Sequence, residues 1–213
     1  MQIPKGLNTK NEVLEQARVL LNEEGLGFTL MDLARKLNTT SGRITYHFPT
    51  KDDLFIALAQ KYEEVQKNSR GSGIEENFGL HGFYKRAAQA MDIQFEHRCV
   101  IRYLASSSKT QGKLFEHLTA TFRENRGIIE KLFSKLVTDE SLEPSILDPE
   151  NFKIIFFQFT SLFTTWVINF EIYDSDRTFE EMKPIYLKGI FSCFNPYLTS
   201  KGKAELYPSG IES

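Results

Sequence analysis

Residues 39–51 gather side chains from which a recognition chemistry can be built. Thr39, Thr40, Ser41, Arg43, Thr45, Tyr46 and His47 supply hydroxyls, a guanidinium, a phenol and an imidazole, with Lys51 four positions further on. Groups of this kind donate and accept at base edges in the major groove of DNA, and the cations among them pair with phosphates. Gly42 keeps the segment slim enough for a groove. Residues 26–51 hold four basic side chains (Arg35, Lys36, Arg43, Lys51) against the single acid Asp32, within a chain of formal charge −2. The basic excess is local, and the global balance announces neither a nucleic acid nor an anionic membrane.

Other chemistries find little support. His81, His97 and His117 are separated by 16 and 20 residues, which is not the spacing of a helical metal site, so no metal is expected. There is no nucleophile elbow, phosphate loop, dinucleotide glycine pattern or paired-carboxylate motif. No catalytic residue and no cofactor are therefore expected, and the chain does not read as an enzyme. Cys99 and Cys193 make neither a disulfide framework nor a metal cluster, which fits a reducing compartment. With no apolar leader at residues 1–5, the expectation is a cytoplasmic protein. The most apolar stretch, 154–170, is interrupted by Gln158, Thr160, Ser161, Thr164, Thr165 and Asn169. A bilayer span needs ~20 mostly apolar residues, so no membrane contact is expected.

The elements that must position residues 39–51 are legible as helices. Thr9 with Glu12, Thr29 with Asp32 and Thr50 with Asp53 have the spacing of a capping box, in which each side chain satisfies a free backbone N–H at a helix start. Each heads an apolar run at helical spacing: Val13, Leu14, Ala17, Leu20 and Leu21; Leu33, Ala34 and Leu37; Leu54, Ala57, Leu58, Tyr62 and Val65. Between the second and third lies room for a tight turn at 38–40 and a short helix stopped by Pro49. Two short helices joined by such a turn and braced by a longer first helix make a helix-turn-helix. Phe48 and Leu54 belong to its core. Thr29 and Thr50 place helix N-termini where phosphates could dock.

At 213 residues, 41% hydrophobic and 25% charged, the chain is neither disordered, collagen-like nor stapled by disulfides. A polar, glycine-bearing junction at 68–73 separates a head, 1–68 with its connecting helix from 50, from a body, 74–199. Helices are expected in the body at 78–97, 98–108, 111–137, 151–173 and 178–198, a loop at 138–150, and a flexible tail from 200 to 213. The fold class is all-α: a three-helix helix-turn-helix head plus a larger helical body. The sequence carries 18 Phe and 8 Tyr against one Trp. Phe152, Phe156, Phe157, Phe159, Phe163, Trp166 and Phe170 make helix 151–173 apolar nearly all round, and two apolar faces need two partners. Phe95, His97, Arg98, Tyr103, His117 and Phe122, with Phe159, Phe163 and Trp166, mix rings with polar groups as small-molecule pockets do. Such a pocket suits a largely apolar molecule with a polar or acidic end.

Thr29-Leu30-Met31-Asp32-Leu33-Ala34, then Gly42, Ile44, Tyr46-His47-Phe48 and Lys51-Asp52-Asp53-Leu54, resembles the N-terminal signature of the tetracycline-repressor (TetR) family of bacterial transcription regulators. The resemblance spans residues 9–58. It implies a homodimeric regulator, most often a repressor, bound to a palindromic double-stranded DNA operator and released by a small-molecule effector. It implies DNA contacts from Thr29, Thr39, Thr40, Ser41, Arg43, Thr45, Tyr46, His47 and Lys51. It also implies dimerisation through the last two long helices, here by way of Phe152, Phe156, Phe170, Tyr186, Ile190 and Phe194. The chain departs from the family at Thr45, where most members carry Tyr, and at Asn38, where Gly is usual; Asn tolerates the left-handed turn conformation. A rival reading is an apolar-ligand sensor or carrier acting through a protein partner, its helix-turn-helix degenerate.

Overall fold

The computed structural model describes residues 10–69, 78–106 and 113–207, without the side chains at 113–115, 117–119, 121–123 and 125. Every long element is an α-helix: α1 Lys10–Glu24, α2 Leu30–Lys36, α3 Ser41–His47, α4 Lys51–Ser69, α5 Gly79–Glu96, α6 Arg98–Ser106, α7 Lys113–Thr138, α8 Pro149–Tyr173, α9 Phe179–Ser192 and α10 Ser200–Leu206. The Thr9 box lies outside the described residues. The other two are formed: Thr29 Oγ accepts from Asp32 N at 3.1 Å, and Thr50 Oγ accepts from Asp53 N at 3.1 Å. Among the described residues no helix is long and apolar enough to cross a membrane.

The chain divides into two compact units, one of Met1–Asn68 with Ile93–His117 and one of Ser69–Asp92 with Leu118–Ser213. In this division α6 groups with the head residues rather than with the body in which the sequence places it. The reason is a reciprocal set of hydrogen bonds at a helix elbow. The Asn22 amide of α1 donates to Glu96 O at 2.6 Å and accepts from Cys99 N at 2.9 Å. Arg18 adds a second donor to Glu96 O. In return Arg102 of α6 donates to Leu21 O at 3.2 Å and Asn22 O at 3.0 Å, carbonyls of the last turn of α1. Each helix end supplies what the other lacks. Around this elbow Val13, Leu21, Leu33, Ile44, Phe48, Leu54, Phe55, Cys99 and Val100 form one apolar core. Burying each of the larger side chains contributes about 1.5–3 kcal/mol.

In the second unit Phe83, Phe159, Phe191 and Phe194 stand with ring centroids 5.0–6.3 Å apart, and Phe133 meets Phe194 edge-on at 5.4 Å. The α9 helix starts at its Thr178–Glu181 box, runs through Pro184 and stops at Ser192, before a 3-10 turn at Asn195–Tyr197. The expected continuous helix 178–198 is therefore shorter. Pro184 neither starts nor ends it.

The expectation of a flexible tail from 200 is overturned for residues 200–206. Thr199 caps α10, its Oγ accepting from Gly202 N at 2.9 Å and donating to Glu140 O at 2.6 Å. Gly202 lies so close to Ser141 O that any Cβ there would collide with it. The Glu205 carboxylate accepts from Leu80 N at 2.6 Å and from Ser141 Oγ at 2.9 Å. A side chain 125 residues away thereby caps the start of α5, where Gly79 holds φ at +49°. The tail reads as polar, and its docking depends on the absence of a side chain at one glycine.

Candidate nucleic-acid interface

The turn between α2 and α3 closes because Asn38 takes φ +50°. Thr40 then caps α3, its Oγ accepting from Arg43 N at 3.3 Å. Phe48 N donates to Ile44 O at 2.8 Å, and Pro49 ends the helix there, having no N–H to continue it. Ile44 and Phe48 are buried. The opposite face of α3 therefore carries Gly42 and Tyr46, flanked by Thr45 and Arg43. Tyr46 is 83% exposed, its ring edge-on to His47 at 5.1 Å. Ser41, Gly42 and Thr45 are exposed as well, whereas Thr39, Arg43 and His47 are half-buried. The Thr45 hydroxyl donates back to Ser41 O at 3.1 Å. A slim helix thus presents one large aromatic hydroxyl and several small polar groups on a face with no apolar cover, as a major groove requires.

Residues 13–58 match the family model described as bacterial regulatory proteins, tetR family. The chain carries a TetR-family head. Solved structures share the fold over nearly the whole chain. A TetR-family transcriptional regulator from Marinobacter aquaeolei VT8 is 19% identical, covers 94% of this chain and 96% of its own, and has a TM-score of 0.79. NalD, the secondary repressor of the MexAB-OprM multidrug efflux pump in Pseudomonas aeruginosa, is 18% identical over 88% of this chain and 96% of its own, with a TM-score of 0.55. SmeT, in complex with triclosan, is 14% identical over 94% and 95%, with a TM-score of 0.61. No curated protein matches the chain in sequence.

Two residues expected to grip phosphate have other work in the TetR-family head. The Thr29 hydroxyl donates to Asp32 Oδ2 at 2.7 Å as well as accepting from Asp32 N. That hydrogen bond holds the Asp32 carboxyl below its usual range. Thr29 acts as a cap. Lys51 turns its ammonium inward, donating to Leu26 O at 2.6 Å and Phe28 O at 3.3 Å and lying 5.2 Å from the Phe28 ring centroid. It ties the α1–α2 connection to α4. The signal was absent from local spacing, since the carbonyls it meets lie 25 and 23 residues earlier.

The residues expected around a pocket fall into different units. In the first, Tyr103 stacks on Phe55 at 3.7 Å with planes 5° apart and hydrogen-bonds the Asp52 carboxylate. Burial first, then that carboxylate, raise its phenol pKa. Arg98 folds back on Phe95, donating to its carbonyl at 3.0 Å with the guanidinium 4.5 Å from its ring centroid. Tyr103 and Arg98 thus make these contacts within the first unit. In the second unit, the half-buried Phe163 stacks on Phe159 at 5.5 Å and the buried Trp166 on Phe179 at 5.4 Å. The side chains of His117 and Phe122 lie outside the described residues.

The residues expected at a dimer interface are placed as follows. Phe152, Phe156, Phe170, Ile190 and Phe194 are buried within their own unit, because the largest rings fill the space between α7, α8 and α9. Tyr186 is half-buried and donates to Asp174 Oδ2 at 2.6 Å. On α8 and α9 the exposed large apolar side chains are Ile154, Phe157, Leu162, Ile172, Tyr173 and Ile185. Ile154, Phe157 and Ile172 share one stripe with Ser161, Thr165 and Ile168 at helical spacing. Spacing could have found that stripe, whereas ring size pointed to the core.

Proposed function

We propose that the protein is a sequence-specific DNA-binding transcriptional regulator, a cytoplasmic repressor released from a palindromic operator by a small, largely apolar ligand. What carries the reading is the outward face of α3, where Tyr46, Gly42, Thr45 and Arg43 stand opposite the buried Ile44 and Phe48. Tyr46 and Arg43 would read base edges or phosphates, and Ser41 and Thr45 would fill in around them. The named relatives support the class of activity, NalD being a repressor and SmeT having been seen with triclosan.

The active form would be a homodimer. Phe157 is 69% exposed and Ile172 62% exposed on one stripe of α8. A self-complementary pairing of α8 and α9 with their copies would cover that stripe. Two heads would then enter successive major grooves about 34–36 Å apart. A ligand would release them only through its different affinity for the bound and free arrangements, and a coupling of about 1–3 kcal/mol is ordinary.

The test is selection from a random duplex library at two salt concentrations. Recovery of an inverted repeat, with affinity falling steeply in salt, is the expected result. Failure to enrich any sequence from ligand-stripped protein would overturn the reading in favour of a sensor acting through a protein partner.

A further inference from the structure

The division between the two units falls inside a helix. A segment of the second unit ends at Asp92 and the first unit resumes at Ile93, while α5 runs on from Gly79 to Glu96. Remote side chains grip this helix on both sides of the division. Lys183 of α9, 91 residues away, donates to Asp92 Oδ1 at 2.6 Å. Asn22 of α1 donates to Glu96 O at 2.6 Å, and Arg18 is a second donor there. Asp92 and Glu96 stand four positions apart, the repeat over which a helix bonds to itself, so one stiff turn separates the two grips. The Lys183 ammonium also lies 5.8 Å from the Phe179 ring centroid, and Phe179 is stacked on the buried Trp166 of α8. One residue past Lys183, Pro184 has no N–H to offer the ladder of α9, and the next side chain, Ile185, is 62% exposed.

We propose that Lys183 is a positioning residue for the DNA-reading head: its pair with Asp92 sets, through one turn of α5, how Asn22 and Arg18 hold the elbow of the first unit. This inference rests on the regulatory reading above and names a residue that would link the pairing of α8 and α9 with their copies to operator binding. An ion pair open to water stabilises a fold little, and here the Lys183 and Asp92 side chains are 23% and 48% exposed. What the pair supplies is position. The Phe179 ring confines the ammonium on one side, so a displacement of α8 or α9 reaches Asp92 instead of being lost in a free lysine chain. Lys183 and Ile185 lie two residues apart, so covering Ile185 with a second copy would act on the turn that carries Lys183. At the other grip, Asn22 lies in the last turn of α1. Val13 and Leu21 of that helix enter the core that seats α3 through Ile44 and Phe48.

The test uses the full chain and reads the Asn22 side-chain amide, with the Cys99 backbone amide that donates to it, by ¹H–¹⁵N correlation. The variants are Lys183→Gln, Asp92→Asn and Lys183→Arg. The first two break the pair while changing the net charge in opposite directions. Both should move the Asn22 and Cys99 resonances the same way, with urea midpoints close to the parent's, and Lys183→Arg should leave them in place. Resonances that stay put in both variants, or that move in opposite directions as a plain charge effect does, would overturn the proposal. Where the parent selects an operator, Lys183→Gln should bind it about twofold to fivefold more weakly, with the dimer mass unchanged in light scattering. Affinity equal to the parent's overturns the proposal as well. The amide measurement needs no DNA. A chain that shows the shifts but selects no operator keeps the linkage and loses the regulatory reading.

Discussion

The buried imidazole of His97 makes the stability of the first unit depend on pH in a calculable way. Glu15 and Arg18 of α1 and Lys61 and Tyr62 of α4 face it. Burial is the largest cause of its lowered pKa, about 4 against an ordinary 6.5, and Arg18 adds to it. The fold therefore refuses a proton that the unfolded chain accepts near pH 6.5. Stability from this group is whole above that value, declines as pH falls through it, and levels off below about 4, where the folded form is protonated too. A displacement of about 2.5 units corresponds to about 3 kcal/mol in total, of which about 2 kcal/mol is gone by pH ~5. Urea unfolding of the parent chain and of His97→Leu at pH ~8 and pH ~5 isolates this contribution from other titrating groups. Between the two pH values the parent should lose about 2 kcal/mol more than the variant, equivalent to about 4–8 °C in melting temperature. Parallel pH profiles for the two proteins would refute the reasoning, because they would mean that His97 carries its proton equally well folded and unfolded.

Tyr46→Ala removes an exposed side chain, so it should leave urea unfolding within about 0.5 kcal/mol of the parent while weakening binding to the selected operator in a mobility-shift titration. Lys51→Ala should destabilise the protein by about 1–3 kcal/mol, since charge-assisted, part-buried hydrogen bonds to the Leu26 and Phe28 carbonyls are lost. Its salt slope for operator binding should stay near the parent's, whereas a phosphate contact would lower it by about one. Gly202→Val forces a side chain onto the Ser141 carbonyl, and the expected outcome is a detached α10, read as faster amide exchange at Leu80 and a lower melting temperature. Phe157→Glu places a charge in the exposed stripe of α8, so light scattering should report monomer at concentrations where the parent is dimeric, with far-UV circular dichroism unchanged.

Much of the head is legible without a structure because its determinants are local. A capping box acts across three residues, a left-handed Asn across one, and Pro49 stops α3 at its own position. The spacing of Leu33, Ile44, Phe48 and Leu54 then makes the core all but obligatory. The inward turn of Lys51 is not legible for the same reason. Nothing within a few residues says whether a lysine at a helix start reaches out to phosphate or back to Leu26 O and Phe28 O. Aromatic size was a poor guide on α8: Phe152 and Phe156 fill the interior, while Ile154 and Phe157, one face away, are left outside.

The sequence by itself determined the class of elements and most of their ends, the helix-turn-helix and which of its residues form the core. These follow from interactions over three or four positions, whose geometry a helix repeats wherever it occurs. Only the tertiary structure decided that α6 belongs with the head, through Asn22, Arg18 and Arg102 meeting carbonyls and an amide 74–81 residues away. It also decided that α10 docks, through Gly202 and Glu205, and that Nδ1 of His97 is left buried and unpartnered. Long-range pairs of this kind depend on where two helices come to lie, and a side chain's spacing along its own helix carries no record of that.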